Sequence, residues 1–117
     1  MTGTLHHTEN VTEPKKRGIL LALADKLESR RNKLKGRNTS LETDLFFLFN
    51  KLNIRHNNQD SEGQNYIPLV ADMGAEEIEK WYDDIYQMCL LAFLELDHLD
   101  RKNRVKQLKE AIENKKT

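Results

Sequence analysis

The chain has 117 residues and a mass of 13.7 kDa, which is enough for one domain with one modest core. Its 19 basic and 19 acidic residues cancel, which argues against a wholly basic, histone-like nucleic-acid binder. The 38% hydrophobic content is too high for a chain that is disordered throughout. A single cysteine excludes an internal disulfide framework and is compatible with a reducing compartment. Only 5 glycines and 2 prolines favour helices over strands.

No segment is predicted to enter a membrane. The longest uninterrupted apolar run, Met88 to Leu94, has 7 residues where about 20 are needed. The basic residues at 15–17 precede an apolar stretch, but that stretch is too short for a secretory signal and continues into a charged helical pattern. We therefore expect a cytoplasmic protein.

Residues 1–11 are polar without any periodicity and are predicted to form a flexible tail. A first helix is expected to begin with Thr12 as its N-cap and to end near Gly36. It carries one apolar stripe at helical spacing, into which Arg31 falls, so Arg31 is expected to lie at the edge of the bundle or to meet a carboxylate. The stripe consists of Leu20, Leu23, Ala24, Leu27 and Leu34.

A second helix is predicted to begin at the capping box Thr39–Glu42. Phe46 and Phe47 do not share its main apolar face, which leaves the helix apolar on all sides. Such a helix is either central in the bundle or covered by a partner or a second copy. Both alternatives stay open at the level of sequence.

The region from about 53 to 74 is predicted to be a polar loop. Its one strand-like piece, Tyr66–Val70, contains a proline and has no second strand to pair with. We expect this piece to be extended and packed on the helices.

A third helix is predicted to open at Asp72 or Gly74. Its first apolar stripe contains Ile78, Trp81, Tyr82, Ile85, Cys89, Ala92 and Leu96. A second stripe lies far around the helix axis, which permits two explanations. A break near residues 97–100 would fold a fourth helix back onto the core, and we favour it because it buries both stripes. One long helix would instead carry a second stripe that needs a partner: Leu91, Leu94, His98, Arg101, Val105, Leu108 and Ile112.

The predicted fold is therefore all-α. Residues 12–117 would form a single small helical bundle of four helices, or of three helices with a very long C-terminal one.

Charge is segregated along the chain. Residues 1–40 carry a net charge of +5, residues 41–100 carry −10, and residues 101–117 carry +5. The segregation helps neighbouring helices to select each other, or it steers a charged protein partner, and both effects can operate together.

No arrangement of residues indicates an active site or a cofactor. Cys89 lies on an apolar stripe and has no local histidine motif, so we predict a buried structural thiol. Glu95 and His98 are three residues apart, but the first two helices offer no matching inward ligands for a metal. We expect no catalytic residue, no cofactor and no metal.

Nucleic-acid binding is the alternative function that the sequence leaves open. It would use the basic surface of the first helix in a nucleic-acid-associated or transcriptional accessory protein, but the acidic middle of the chain would repel phosphate. The cations of that surface are Lys15, Lys16, Arg17, Arg30, Arg31, Lys33, Lys35 and Arg37.

The chain resembles a family of small Legionella effector-regulating proteins, the metaeffectors, in its length, helical character and Asn/Lys/Leu/His-rich composition. The stretches that prompt the comparison are Thr2–His7 and Leu45–Phe49. The resemblance implies a non-enzyme that inhibits ubiquitin-directed transglutaminase and deamidase effectors, and that reaches the cytosol of a host cell by translocation.

These observations favour a non-catalytic protein-binding module that inhibits or regulates a partner enzyme, with a homodimer as a further option. An apolar anchor is expected at Phe46 and Phe47. The steering charges are expected either on the first helix or on the third. The candidates are Arg30, Lys33 and Arg37 on the former and Glu79, Asp83 and Asp84 on the latter.

Overall fold

The computed structural model describes residues 13–52, 54 and 67–116. They form five helices: α1 (Glu13–Glu28), α2 (Arg31–Arg37), α3 (Thr39–Lys51), α4 (Pro68–Ala71) and α5 (Ala75–Lys116). No strand occurs within these ranges, so the all-α prediction is confirmed. The predicted tail at 1–11 and most of the predicted loop lie outside the described residues.

The prediction of one helix up to Gly36 is wrong, because a turn at Ser29 and Arg30 separates α1 from α2. The Arg30 backbone N–H donates to the Leu27 carbonyl at 3.0 Å, which is the tighter i to i−3 pattern. The Ser29 hydroxyl donates to the Lys26 carbonyl at 3.1 Å and occupies a second acceptor of the last turn. Leu27 before the turn and Leu34 after it are both buried in the core.

The start of α3 was predicted almost correctly, but its N-cap is Asn38 and not Thr39. The Asn38 Oδ1 atom accepts the Leu41 backbone N–H at 3.1 Å. The Thr39 hydroxyl donates backwards to the Lys35 carbonyl at 2.9 Å instead. The predicted capping box does not form, and its Glu42 is engaged elsewhere.

Residues 68–71 form one helical turn, so the predicted extended segment is wrong here. Pro68 stands at the first position of α4, where a missing N–H costs nothing. Val70 is buried and attaches this turn to the bundle.

The last helix, α5, is uninterrupted over 42 residues and is about 63 Å long. The favoured break near residues 97–100 is therefore wrong, and the alternative of one very long helix is confirmed. No glycine or proline follows Ala75, so nothing in the backbone stops the helix. Of the two predicted starts, Asp72 and Gly74, Gly74 opens the helix, since its carbonyl accepts the Ile78 N–H at 3.0 Å.

The core lies between α1, α2, α3 and the N-terminal half of α5. Tyr82 anchors it by donating its hydroxyl to the Leu52 carbonyl at 2.9 Å. From Arg101 to Lys115 every side chain of α5 is exposed, so this half projects beyond the bundle. The buried apolar residues are Leu20, Ala24, Leu27, Leu34, Leu41, Leu45, Phe46, Phe49, Leu52, Ile54, Val70, Ile78, Tyr82, Ile85, Cys89, Ala92 and Leu96.

Candidate partner-binding surfaces

The two phenylalanines proposed as a joint anchor are separated by the fold of α3. Phe46 is 1% exposed and Phe47 is 58% exposed. Phe46 packs edge-on against Phe49, with ring centroids 5.2 Å apart. The prediction that Phe46 contacts a partner is therefore wrong, because its ring belongs to the core. Phe47 alone keeps the character of an anchor.

A charged pair beneath Phe46 fixes how α2 and α3 meet. The Arg31 guanidinium lies 4.1 Å from the centroid of the Phe46 ring, which is cation–π distance. Its Nε atom donates to Oε2 of Glu42, whose side chain is 3% exposed. The expectation that Arg31 meets a carboxylate is confirmed. The pair and the ring therefore connect α2 to α3.

The exposed side of α3 forms a small amphipathic surface around Phe47. Thr43, Asp44 and Lys51 lie three or four residues from Phe47 on the same side of the helix, and all are exposed. We call Thr43, Asp44, Phe47 and Lys51 the Phe47 surface. It places one large aromatic ring between an acidic and a basic side chain.

Half of the predicted steering charges form ion pairs inside the protein. Arg30 lies 3.3 Å from Asp100, and Arg37 lies 3.5 Å from Glu95. Asp83 is paired with Lys16 at 3.1 Å. These contacts join α1 and α2 to α5, so part of the segregated charge serves helix selection.

The remaining predicted charges are placed differently. Lys33 and Asp84 are exposed, and Glu79 is half-buried. The structure therefore does not gather the eight predicted site residues into one surface.

The same ion pairs weaken the case for a nucleic-acid interface. Four of the eight cations named for it, at positions 16, 30, 31 and 37, have carboxylate partners. Phosphate would have to compete with these carboxylates for the cations.

Cys89 is unsuited to nucleophilic chemistry. Its side chain is fully buried, and burial raises the pKa of the thiol from 9.0 to about 12. The reactive thiolate is therefore scarce at neutral pH. Within the described ranges, no group of three or more His, Cys, Asp or Glu side chains is arranged to hold a metal ion.

A second apolar surface lies on α5. The sequence indicated it only through the less favoured alternative, one long helix. We call Leu91, Leu94, His98, Arg101, Val105, Leu108 and Ile112 the outer stripe. Its five apolar members are between 47% and 60% exposed. The signal that locates it is the alternating spacing of three and four residues, which is typical of a coiled-coil seam.

Among the described residues, no helix has both the length and the apolar character that crossing a membrane requires. No family model, curated protein or solved structure matches this chain.

Proposed function

We propose that the protein is a non-catalytic binding module that regulates a partner protein, and that the Phe47 surface is the centre of the contact. The observation that carries this proposal is the exposure of a large aromatic ring on a helix whose other phenylalanine rings are buried in the core. Aromatic side chains are enriched at the cores of protein interfaces, and burying one against a partner makes a strong anchor.

The packing of α3 against the rest of the protein supports an anchor function. Because Phe46 and Phe49 are packed in the core and Glu42 is paired with Arg31, the helix need not reorganise when it binds. A pre-organised anchor loses little conformational entropy on association. Asp44 and Lys51, one on each side of the ring, would orient a partner that carries complementary charges.

We further propose that the partner is an enzyme and that binding inhibits it. This step rests on the resemblance to the metaeffector family, which also suggests a ubiquitin-directed transglutaminase or deamidase as the enzyme. In this proposal the protein acts in the cytosol, of the bacterium or of a host cell. A single reduced, buried cysteine is compatible with such a compartment.

The experiment begins with capture of a stoichiometric partner from the native cell by the full chain, followed by binding kinetics with that purified partner. Phe47→Ala should raise the dissociation rate constant by roughly 30-fold, as expected for an interface hot spot. Leu69→Ala is the matched control, because Leu69 is 72% exposed and lies on α4. This control should leave the kinetics unchanged.

Steering is tested separately with Asp84→Lys, because Asp83 is already paired with Lys16. If the acidic side of α5 steers association, this reversal slows the association rate, and the effect fades at about 0.5 M salt.

Inhibition is tested by adding the protein to a purified ubiquitin-directed transglutaminase or deamidase and following the modification of ubiquitin. A stoichiometric loss of activity supports the proposal. Unchanged kinetics for Phe47→Ala would remove the Phe47 surface from the interface. Retention on DNA that falls with salt, without any protein partner, would favour the nucleic-acid alternative.

A further inference from the structure

The outer stripe lies on the side of α5 that faces away from the bundle. At 100° per residue, its centre is about 180° around the helix axis from the buried face that contains Ile85, Cys89 and Leu96. A helix with apolar residues on two opposite sides has two surfaces to cover, and the bundle covers only one of them.

The stripe extends from Leu91 to Ile112, which is about 32 Å along the helix. Its first half runs along the back of the bundle, and its second half runs along the segment that projects past Asp100. A second helix laid along the stripe would not collide with α1, α2 or α3, because they pack on the opposite side.

We infer that the outer stripe is a homodimer interface, in which the α5 helices of two copies pair in an antiparallel coiled coil. This interface is separate from the Phe47 surface and does not depend on the proposed function. It commits the stripe to one occupant, a second copy of this chain.

The order of residues along the stripe selects the antiparallel direction. In that direction Leu91 faces Leu108 of the second copy, and Leu94 faces Val105 of the second copy. The polar positions then meet each other at the centre, His98 against Arg101. A parallel pair would instead set Arg101 against Arg101 inside the seam, which is unfavourable.

The charges beside the stripe select the same arrangement and its register. Asp97 and Arg104 flank the seam on one edge and are both exposed. In the antiparallel register, Asp97 of each copy faces Arg104 of the other. Sliding the copies by one heptad in one direction sets Arg104 opposite Arg104, and sliding them in the other direction sets Asp97 opposite Asp97. Of these three registers, only the stated one avoids like charges on this edge of the seam.

The other edge of the seam obeys the same rule. There Glu95 faces Lys102 of the second copy. Glu95 is already paired with Arg37 in its own chain, so Lys102 would add to an existing charge cluster.

The exposed apolar area is sufficient for a specific contact. Leu90 is 41% exposed and adds to the five apolar residues of the stripe. At about 80 Å² each, these six side chains on two copies expose about 1,000 Å² before the stems of the flanking charged residues are counted. This total is close to the roughly 1,000 Å² that a biological interface needs and below the range of about 1,200–2,000 Å² for stable ones, so the expected dimer is a weak one. An apolar groove lined by Leu108, Ala111, Ile112 and Lys115 lies on the seam near the end of the stripe.

Sedimentation velocity of the full chain, from about 1 µM to about 200 µM, tests the inference. The wild-type chain should shift from monomer to dimer across this range. Leu108→Asp should raise the dimer dissociation constant by about 100-fold, because each of the two copies then places a carboxylate in the apolar seam. Asn103→Asp is the control, because it adds the same charge on the opposite side of the helix. It should dimerise like the wild type.

Two further variants identify the register. Asp97→Lys and Arg104→Asp should each weaken the dimer by roughly 10-fold, and the double variant should restore it. For orientation, Leu94→Cys mixed with Val105→Cys should form a disulfide between chains, whereas either variant alone should not.

Three results would overturn the inference. The first is a wild-type chain that sediments as a monomer at every concentration. The second is a dimer that Leu108→Asp does not weaken. The third is a disulfide formed by Leu94→Cys alone, which would mean a parallel pair.

Discussion

Replacing Phe46 with alanine and, separately, replacing Phe47 with alanine compares two adjacent identical side chains in opposite environments. Phe46 is 1% exposed and contacts both the Phe49 ring and the Arg31 guanidinium. Its truncation leaves a cavity and should lower the free energy of unfolding by about 3–5 kcal/mol. That is a large part of the 5–15 kcal/mol typical of a domain.

Phe47→Ala should cost far less. The side chain is 58% exposed, so its buried part contributes about 1 kcal/mol. Alanine also has the higher helix propensity, which offsets about 0.5 kcal/mol of that loss. The expected net change is therefore below about 1 kcal/mol.

Urea unfolding followed by the fluorescence of Trp81, the one tryptophan of the chain, measures both values. The measurement should be made at about 1 µM protein, where dimerisation contributes little. Equal losses for the two variants would refute the assignment of Phe46 to the core and Phe47 to the surface. A loss of several kcal/mol for Phe47→Ala would also remove the basis for using it as a binding variant.

Three further changes test individual contacts in the same unfolding assay. Tyr82→Phe removes the donor to the buried Leu52 carbonyl and should cost about 1–2 kcal/mol, whereas a change near zero would contradict the hydrogen bond. Asn38→Ala removes the N-cap of α3 and should cost about 1 kcal/mol, while Ser40→Ala, two residues further along the chain, should be nearly neutral. The thiol of Cys89 has a pKa of about 12 in the folded protein, against 9.0 ordinarily. The unfolded chain therefore loses this proton first, and stability falls as pH rises from 9 towards 12, by about 2–3 kcal/mol at pH 11. Cys89→Ala lacks this component, so an identical alkaline decline in the variant and the wild type would contradict the raised pKa.

The sequence was informative where a local pattern had one physical solution. Leu20, Ala24 and Leu27 on α1, like Ile85 and Cys89 on α5, follow helical spacing and are all buried. One of the two expectations for Arg31, that it meets a carboxylate, was met because a cation beside an apolar stripe needs a counter-charge, and Gly74 was one of the two predicted helix starts.

The errors arose where competing local interactions were nearly equal. Asn38 and Thr39 can both cap a helix; in the structure Asn38 takes the position and the Thr39 hydroxyl donates back to the Lys35 carbonyl. The turn at Ser29 and Arg30 contains no glycine or proline from which it could be predicted. Phe46 and Phe47 lie at similar angles from the main apolar face of α3, on opposite sides of the helix. Only packing against the neighbouring helices decides which of the two is buried.

The predicted break in α5 near residues 97–100 is wrong for a different reason. A fold-back near Asp97 would bury more apolar area within one chain, and that consideration favoured a break. The backbone between Leu96 and Arg101 contains only residues that tolerate a helix interior, so helix propensity prevails over burial within the chain. The Phe47 surface was predicted in part, since the ring was identified but its charged neighbours were not.

The projecting half of α5 also divides its backbone amides into two kinetic populations. Amides near Ile85 and Leu96 are covered by the core, so their hydrogens exchange with solvent only when the whole domain opens. In the monomer each amide past Asp100 is protected only by its own bond within the helix, and short openings from the C-terminus expose it. At concentrations where the chain is monomeric, a steep gradient of deuterium uptake should therefore run along this unbroken helix, and a protease should cut the helix first beyond residue 100.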